Sequence, residues 1–257
     1  MIISRRGLRE KSPAVHWFLA GTLAIMAAAC GSDDPAGPEE DAMPQSPGIY
    51  NRVLPPDQRY TLLVPTGYRT GQPTPLILSL HYGGIVVPFY GSRLLEVLVQ
   101  PALQDLGAIV VAPEVTMGQD WDNEDSERQV LDLIRAIKAN YAIDENRTLV
   151  TGFSMGGRGA WYMAARHPGL FRAAIPISAR PEEDATEVDW QVPLLVIHSV
   201  ADELIPFEPV ETTVRALKER DVQIEMIVVQ DVGHYQIELF LEPLKAAVPW
   251  IRKAWGE

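Results

Sequence analysis

The sequence predicts an α/β fold, with a mostly parallel β-sheet and helices on both of its faces. From about Tyr50 onward, segments with strand character alternate with segments of helical spacing, as in chains that form parallel sheets. Several strand segments are apolar throughout, which is typical of strands buried on both faces. The chain has 257 residues, of which 47% are hydrophobic and 22% charged, enough for one such domain with a sizeable core.

Residues 1–30 are predicted to be a secretion signal rather than part of the fold. Three arginines and a lysine within residues 5–11 precede an apolar stretch at 14–29, which ends in three alanines directly before Cys30. This order is typical of a signal peptide, and the stretch is too short to cross a bilayer comfortably. The cysteine position resembles the lipid-attachment site of a bacterial lipoprotein. We therefore expect an exported protein that is anchored to a membrane through Cys30.

Two alternatives to this signal stay open. An ordinary signal peptide with an incidental cysteine would give a periplasmic or extracellular protein without a lipid. The pair Arg5-Arg6 leaves the twin-arginine export route open. Because Cys30 is the only cysteine, no internal disulfide is expected.

Residues 31–48 are predicted to form a flexible tether between the signal and the domain. Their sequence, GSDDPAGPEEDAMPQSPG, has four prolines, five acids and no base, and offers too little apolar surface to offset the entropy of ordering it. The predicted domain follows at residues 49–257. The net charge of −12 and the lack of basic runs in this domain argue against a nucleic-acid partner.

The strand segments are recognised by apolar runs that end in turns. The segment at 59–64 stops at Pro65-Thr66-Gly67, and the runs at 75–80 (PLILSL) and 108–112 (AIVVA) are mostly apolar. The predicted strands are 59–64, 75–80, 108–112, 148–153, 173–178, 193–198 and 223–229.

The helical segments are recognised by periodicity and by their breakers. The apolar residues of 126–141 lie mostly on one face, and the segment at 155–166 is stopped by Pro168-Gly169. The segment at 237–255 contains Pro243 and Pro249, which should kink or interrupt it. The predicted helices are 126–141, 155–166, 212–220 and 237–255.

Ser154 stands between two glycines at the point where a predicted strand meets a predicted helix. The sequence Gly152-Phe153-Ser154-Met155-Gly156 follows the strand at 148–153 and begins the helix at 155–166. Glycines allow the tight, strained turn that lifts a nucleophilic hydroxyl clear of the sheet. We expect Ser154 to be a nucleophile; a structural glycine-rich turn is the alternative.

The segment His81-Tyr82-Gly83-Gly84 follows the strand at 75–80. In hydrolases of this architecture, such a loop supplies one amide of an oxyanion hole, and the residue after the nucleophile supplies the other. The expected donors are therefore Met155 together with Tyr82 or Gly83. Tyr82 stands where a glycine is usual, and either its ring is expected to line the pocket or its hydroxyl to donate a hydrogen bond there. A plain turn is the alternative.

An acid and a base follow the last two predicted strands. Asp202 comes after the strand at 193–198 and could hold an imidazole in one tautomer, with Glu203 and Asp231 as rivals. His234 comes after the strand at 223–229 and is the expected general base. The order Ser154, Asp202, His234 matches nucleophile, acid and base in one known serine-hydrolase arrangement.

The chain resembles the α/β-hydrolase superfamily. The residues that carry the resemblance are TGFSMGGRGAWYMAARHPGLFRAAIPIS at 151–178, with VIHSVADELIP and VGHYQ later. The similarity extends over roughly residues 60–255 and is strongest to the secreted esterase and peptidase-like branch, which includes feruloyl- and acetyl-esterase-like enzymes. It implies a serine esterase with the roles just given. Dienelactone hydrolases share this fold but use a cysteine nucleophile, and Cys30 lies in the signal.

The pocket is expected to be open, without a cap domain. Only about 14 residues separate the strands at 173–178 and 193–198, which is too few for a cap. Trp121 is expected to bind the substrate by stacking, although a packed loop residue is an equal alternative. Arg158 is expected to form a salt bridge rather than to clamp a substrate.

The expected function is therefore hydrolysis of small or polymer-borne carboxylic esters, without metal or cofactor. A serine peptidase on the same fold is the alternative, and a surface-tethered binding protein without catalysis is a third. The sequence does not specify the oligomeric state.

Overall fold

The computed structural model describes residues 42–115, 118–182 and 184–257. The predicted signal, Cys30 and residues 31–41 of the predicted tether lie outside the described residues. No helix in the described ranges is both long enough and apolar enough to cross a membrane.

Within the described residues, eight strands form one sheet in the order β1-β2-β4-β3-β5-β6-β7-β8. The first two pairings, β1 with β2 and β2 with β4, are antiparallel, and the other five are parallel. The strands are β1 (Gly48–Leu54), β2 (Gln58–Val64), β3 (Thr74–Leu80), β4 (Ile109–Pro113), β5 (Ile143–Phe153), β6 (Ala173–Ile177), β7 (Leu194–Ser199) and β8 (Ile224–Val229).

Helices cover both faces of this sheet. Along β3, the side chains of Leu76 and Leu78 enter one apolar cluster and that of Ile77 enters the other, because successive side chains of a strand point to opposite faces. The helices are α1 (Gly91–Leu94), α2 (Gln100–Leu103), α3 (Glu124–Asn140), α4 (Met155–Arg166), α5 (Phe207–Glu219), α6 (Leu241–Ala246) and α7 (Val248–Ala254). The predicted fold class is confirmed.

The C-terminal segment is interrupted as its prolines predict. A 3₁₀ turn at Ile237–Phe240 leads into α6, and α7 begins after Ala247 with Pro249 in its first turn. A proline is tolerated there because a first-turn amide has no acceptor within the helix. Helix α5 begins at Phe207, five residues before the predicted start. Pro209 does not prevent this earlier start, because it too lies in the first turn of its helix.

The helical stretch between β3 and β4 was not predicted. It consists of α1, a π-helical turn at Leu95–Val99, α2 and a 3₁₀ turn at Gln104–Leu106. Its apolar side chains pack on the sheet, but no side-chain cap marks its start and Pro101 lies within it.

The compact unit that contains the sheet begins at Met43. Tyr141 donates its hydroxyl to the carbonyl of Pro44 at 2.6 Å, and Tyr68 donates its hydroxyl to Gln45 at 2.8 Å. The last residues of the predicted tether thus contact the domain directly.

No cap domain lies over the carboxyl ends of the strands in the described part of the chain. Residues 178–193 connect β6 to β7, and a segment of this length is too short to form one.

Candidate active site

Three side chains from three strand ends form one hydrogen-bonded chain. The parallel strands β5, β7 and β8 end at the same edge of the sheet, and Ser154, Asp202 and His234 follow them. The imidazole Nε2 of His234 lies 2.8 Å from Ser154 Oγ. Its Nδ1 lies 2.9 Å from Asp202 Oδ2 and 3.0 Å from Oδ1.

The backbone of Ser154 is held in a strained conformation. Its φ of 55° and ψ of −117° are uncommon for a residue with a side chain, and its N–H donates to the carbonyl of Ile177 at 2.9 Å. A Cβ on Gly152 would lie 2.3 Å from the carbonyl oxygen of Gly156, and one on Gly156 would lie 1.8 Å from that of Leu80. Both positions therefore require glycine, as the sequence pattern predicts.

The tautomer of His234 follows from the acid beside it. Burial would raise the pKa of Asp202, but hydrogen bonds from His234 and from the backbone of Ile205 and Leu204 lower it below its usual value. An ionised carboxylate only accepts, so Nδ1 of His234 donates to it and Nε2 is left to accept from Ser154.

The two rival acids occupy other positions. Glu203 accepts the backbone N–H of His234 at 2.8 Å and not its ring. Asp231 is exposed at the start of the loop that carries His234. Of the three acids, Asp202 is the one hydrogen-bonded to the imidazole.

His81 and His198 are buried and support the backbone around the site. The ring of His81 donates from Nδ1 to the carbonyl of Tyr82 and accepts at Nε2 from the N–H of Val115, and burial lowers its pKa to about 4. His198 donates from Nε2 to the carbonyl of Ile205 at 2.8 Å, and burial lowers its pKa as well.

The expected oxyanion donors come from the ends of β5 and β3. Met155 is the first residue of α4, so its N–H has no intrahelical acceptor. A Cβ on Gly83 would lie 3.7 Å from the sulfur of Met155, which places the two segments side by side. Both residues line the cleft beside Ser154.

The ring of Tyr82 is half-buried and packs on one of the two apolar clusters. Its centroid lies 5.6 Å from that of Tyr90 and 6.5 Å from that of Phe153. The substrate contact of this ring and the oxyanion role of its backbone amide both stay predictions.

Trp121, by contrast, is too deeply buried to stack on a substrate, which corrects the prediction that it binds substrate. Its side chain is only 2% exposed, its Nε1 donates to the carbonyl of His81 at 2.9 Å, and its Cβ lies against Gly159. Trp121 therefore packs beneath the loop after β3, which was the structural alternative.

The cleft beside Ser154 has a volume of about 610 Å³ and two chemically different walls. Apolar residues after β7 form one wall, and charged residues form the other. The lining residues are Gly83, Asp120, Ser154, Met155, Arg158, Ala179, Arg180, Leu204, Ile205, Pro206 and Pro209.

Arg158 is paired within the charged wall, as expected. Its guanidinium lies 2.9 Å from Asp120 and 2.8 Å from Asp122. Burial would lower the pKa of Arg158, but the carboxylates of Asp122 and Asp120 raise it. Arg180 and residues 204–206 were not predicted to line the cleft, although both follow strands that end at this edge. In the described ranges, no group of three or more His, Cys, Asp or Glu is placed to hold a metal ion.

The chain matches the model of a known protein family. The model of the family described as "Dienelactone hydrolase family" matches residues 110–238, half of the chain. The matched range contains Ser154, Asp202 and His234.

Two curated relatives carry esterase-type names. The protein named "Probable feruloyl esterase C" from Aspergillus flavus is 29% identical over 164 residues, which are 59% of this chain and 57% of that protein. The protein named "Putative carboxymethylenebutenolidase" from Escherichia coli is 34% identical over 102 residues, 35% of this chain and 37% of that protein. The chain thus spans little more than half the length of the feruloyl esterase.

A crystal structure of a thermostable esterase has a similar fold. It aligns with a TM-score of 0.68 and 24% identity, over 80% of this chain and 62% of that one. At this identity the likeness shows the fold alone.

Proposed function

The chain belongs to the dienelactone hydrolase family, and we propose that it hydrolyses carboxylic esters through an acyl-enzyme on Ser154. The observation that carries the proposal is the pair of hydrogen bonds from Ser154 through His234 to Asp202. Nucleophilic catalysis by a serine needs a base within hydrogen-bond reach, and the base needs a partner that orients it.

Serine takes the place of the cysteine nucleophile that dienelactone hydrolases use. The single cysteine of the chain is Cys30, outside the matched range. A hydroxyl is a weaker nucleophile than a thiolate at neutral pH, so it depends more on its base. The 2.8 Å separation of Ser154 Oγ and His234 Nε2 suits that dependence.

The first half of the reaction transfers the acyl group to the enzyme. The proton of Ser154 moves to Nε2 of His234 while Oγ forms a bond to the ester carbonyl carbon. The tetrahedral intermediate collapses as the bond to the alcohol oxygen breaks, and the imidazolium gives its proton to that oxygen. Asp202 stabilises the imidazolium through its ionised carboxylate.

The second half returns the enzyme to its starting state. His234 takes a proton from water, whose oxygen attacks the acyl carbon, and the proton then returns to Ser154 as the acid leaves. In both halves the N–H of Met155, with that of Tyr82 or Gly83, is proposed to stabilise the negative oxygen.

We propose small or polymer-borne esters as substrates because no cap domain covers the cleft in the described residues. The names of the fungal relatives support an ester substrate. A membrane position is proposed from the signal-like sequence and Cys30 alone.

The test is turnover of p-nitrophenyl acetate and butyrate by the wild type and by Ser154→Ala. The wild type should hydrolyse both esters, and Ser154→Ala should reduce the rate at least about 10³-fold, as should His234→Ala. His198→Ala is the control for loss of a nearby imidazole and should retain more activity than His234→Ala.

Two results would contradict the proposal. A folded wild type that hydrolyses neither ester would exclude an esterase and favour a binding protein. Release of amines from aminoacyl substrates without any ester turnover would favour the peptidase alternative.

A further inference from the structure

We propose that Tyr235 binds the alcohol portion of the substrate and that this portion carries a ring. The inference rests on the proposed function and assigns the two halves of the ester to two sides of Ser154.

The chemistry fixes the side on which the alcohol lies. The leaving oxygen must receive its proton from Nε2 of His234, so the alcohol portion has to lie beside this imidazole. The residues that line the 610 Å³ cleft include neither His234 nor Tyr235. We assign the acyl portion to this cleft and the alcohol portion to the surface beside the imidazole.

Tyr235 is the side chain that the alcohol would meet there. Its ring centroid lies 5.5 Å from that of His234, at an interplanar angle of 82°. It is 74% exposed, and among the described residues it is the only aromatic in the set of strongly exposed large apolar side chains. An exposed aromatic beside a buried base offers a free face for binding rather than for packing.

The backbone around this ring is held in place. The N–H of His234 donates to Glu203, and the N–H of Gly233 donates to Gln236 Oε1 at 2.8 Å. The N–H of Gln236 donates back to the carbonyl of Gly233 at 3.1 Å. Because the flanking residues are fixed, little backbone entropy is lost when a ligand contacts Tyr235.

The aromatic ring of Tyr235 favours a substrate whose alcohol portion is cyclic. A phenol can stack on it or meet its edge, and the C–H face of a sugar can pack on it in the same way, whereas a small alkanol covers little of its surface. The expected substrate class is therefore an ester whose alcohol is cyclic.

The experiment keeps the acyl group constant and varies the alcohol. Values of kcat/KM are measured for ethyl acetate, phenyl acetate and glucose pentaacetate with the wild type, Tyr235→Ala and Tyr235→Phe. Tyr235→Ala should lower kcat/KM for the two cyclic alcohols about 10-fold relative to ethyl acetate, and Tyr235→Phe should preserve them. Leu239→Ala, which removes another exposed apolar side chain of this segment, is the matched control and should change none of the three.

Each other result has a defined meaning. A fall confined to phenyl acetate or to the sugar ester supports the proposal and identifies the ring. The proposal would be overturned if Tyr235→Ala lowered kcat/KM equally for all three esters or for none of them. It would also be overturned if Tyr235→Phe lowered kcat/KM as much as Tyr235→Ala. A folded wild type without activity on any ester would overturn the proposed function, and this inference with it, whereas wild-type activity with a uniform response to Tyr235→Ala would overturn the inference alone.

Discussion

Two neighbouring acids hold different parts of one histidine. Asp202 binds the imidazole of His234, and Glu203 binds its backbone N–H. A side chain that contacts only the ring leaves the loop free to move, whereas this pair fixes both the ring and the chain that carries it. Glu203 is therefore proposed as a positioning residue for the base.

Glu203→Ala should lower kcat about 10-fold with little change in KM, because the base loses the contact that orients its loop. Glu203→Gln keeps an acceptor oxygen and should restore most of the rate. Both variants are measured on p-nitrophenyl acetate, with Glu208→Ala on nearby α5 as the control. If Glu203→Ala turns over at the wild-type rate, the contact has no role in catalysis.

At this scale the sequence predicts the reactive residues better than their surroundings. Ser154, Asp202 and His234 could be chosen because each follows a strand and falls in a known order, and their catalytic roles stay predictions. Trp121 and Tyr235 both follow strands as well, yet the first is buried and the second exposed. Burial depends on contacts between distant segments, such as that of Trp121 with His81, which no local pattern contains.

The turn between β5 and α4 shows how an element is constrained by its neighbours. The start of α4 lies against the end of β3, so close that a Cβ on Gly156 would overlap the carbonyl of Leu80. The glycines could be identified from the sequence, but the strand against which Gly156 packs could not. The order of strands in a sheet depends on contacts between distant segments.

Gly156→Ala should destabilise the protein by about 2–4 kcal/mol, because α4 must move away from β3 to admit the methyl group. The free energy of unfolding is measured by urea denaturation. Gly169→Ala is the control, since its Cβ would meet nothing within 4 Å. An unchanged unfolding midpoint in Gly156→Ala would mean that the close contact between α4 and β3 is wrong.

The helical elements that escaped prediction are short and begin without a side-chain cap. The stretch from α1 to the 3₁₀ turn at Gln104–Leu106 changes its helical geometry three times. Its apolar residues therefore do not recur at the constant spacing by which a helix is identified. By contrast, α3 was found within two residues of its start, where Asn123 accepts the N–H groups of Asp125 and Ser126.

For the whole molecule, the proposed organisation is a lipid anchor, a tether and one catalytic domain. The compact unit that contains the sheet begins at Met43, and its residues Pro44 and Gln45 contact Tyr141 and Tyr68. Composition alone could not place this boundary, because residues 43–47 contain two of the four prolines of the predicted tether. Their contacts are with tyrosines far along the chain.

Cys30→Ala should move the full-length protein from the membrane fraction to the soluble fraction, because a single lipid-modified cysteine is the only proposed anchor. Fractionation of expressing cells with immunodetection measures the change, and Ser32→Ala is the control. Retention of Cys30→Ala in membranes would contradict lipid anchoring and favour another mode of attachment.

Because α4 lies so close to β3, one part of the site does not tolerate substitutions, whereas another part does. Gly156 lies directly against the backbone carbonyls of Leu80 and His81, with no room for a side chain between them. A side chain at position 156 would therefore push α4 away from β3 and change the distance between the proposed oxyanion donors. Leu204 and Pro206 present exposed side chains to the cleft. A mutant library that seeks new acyl specificity should therefore randomise residues 204–206 and leave 80–84 and 152–157 unchanged. Substrate preference can then change while the positions of Ser154 and the proposed oxyanion donors are preserved.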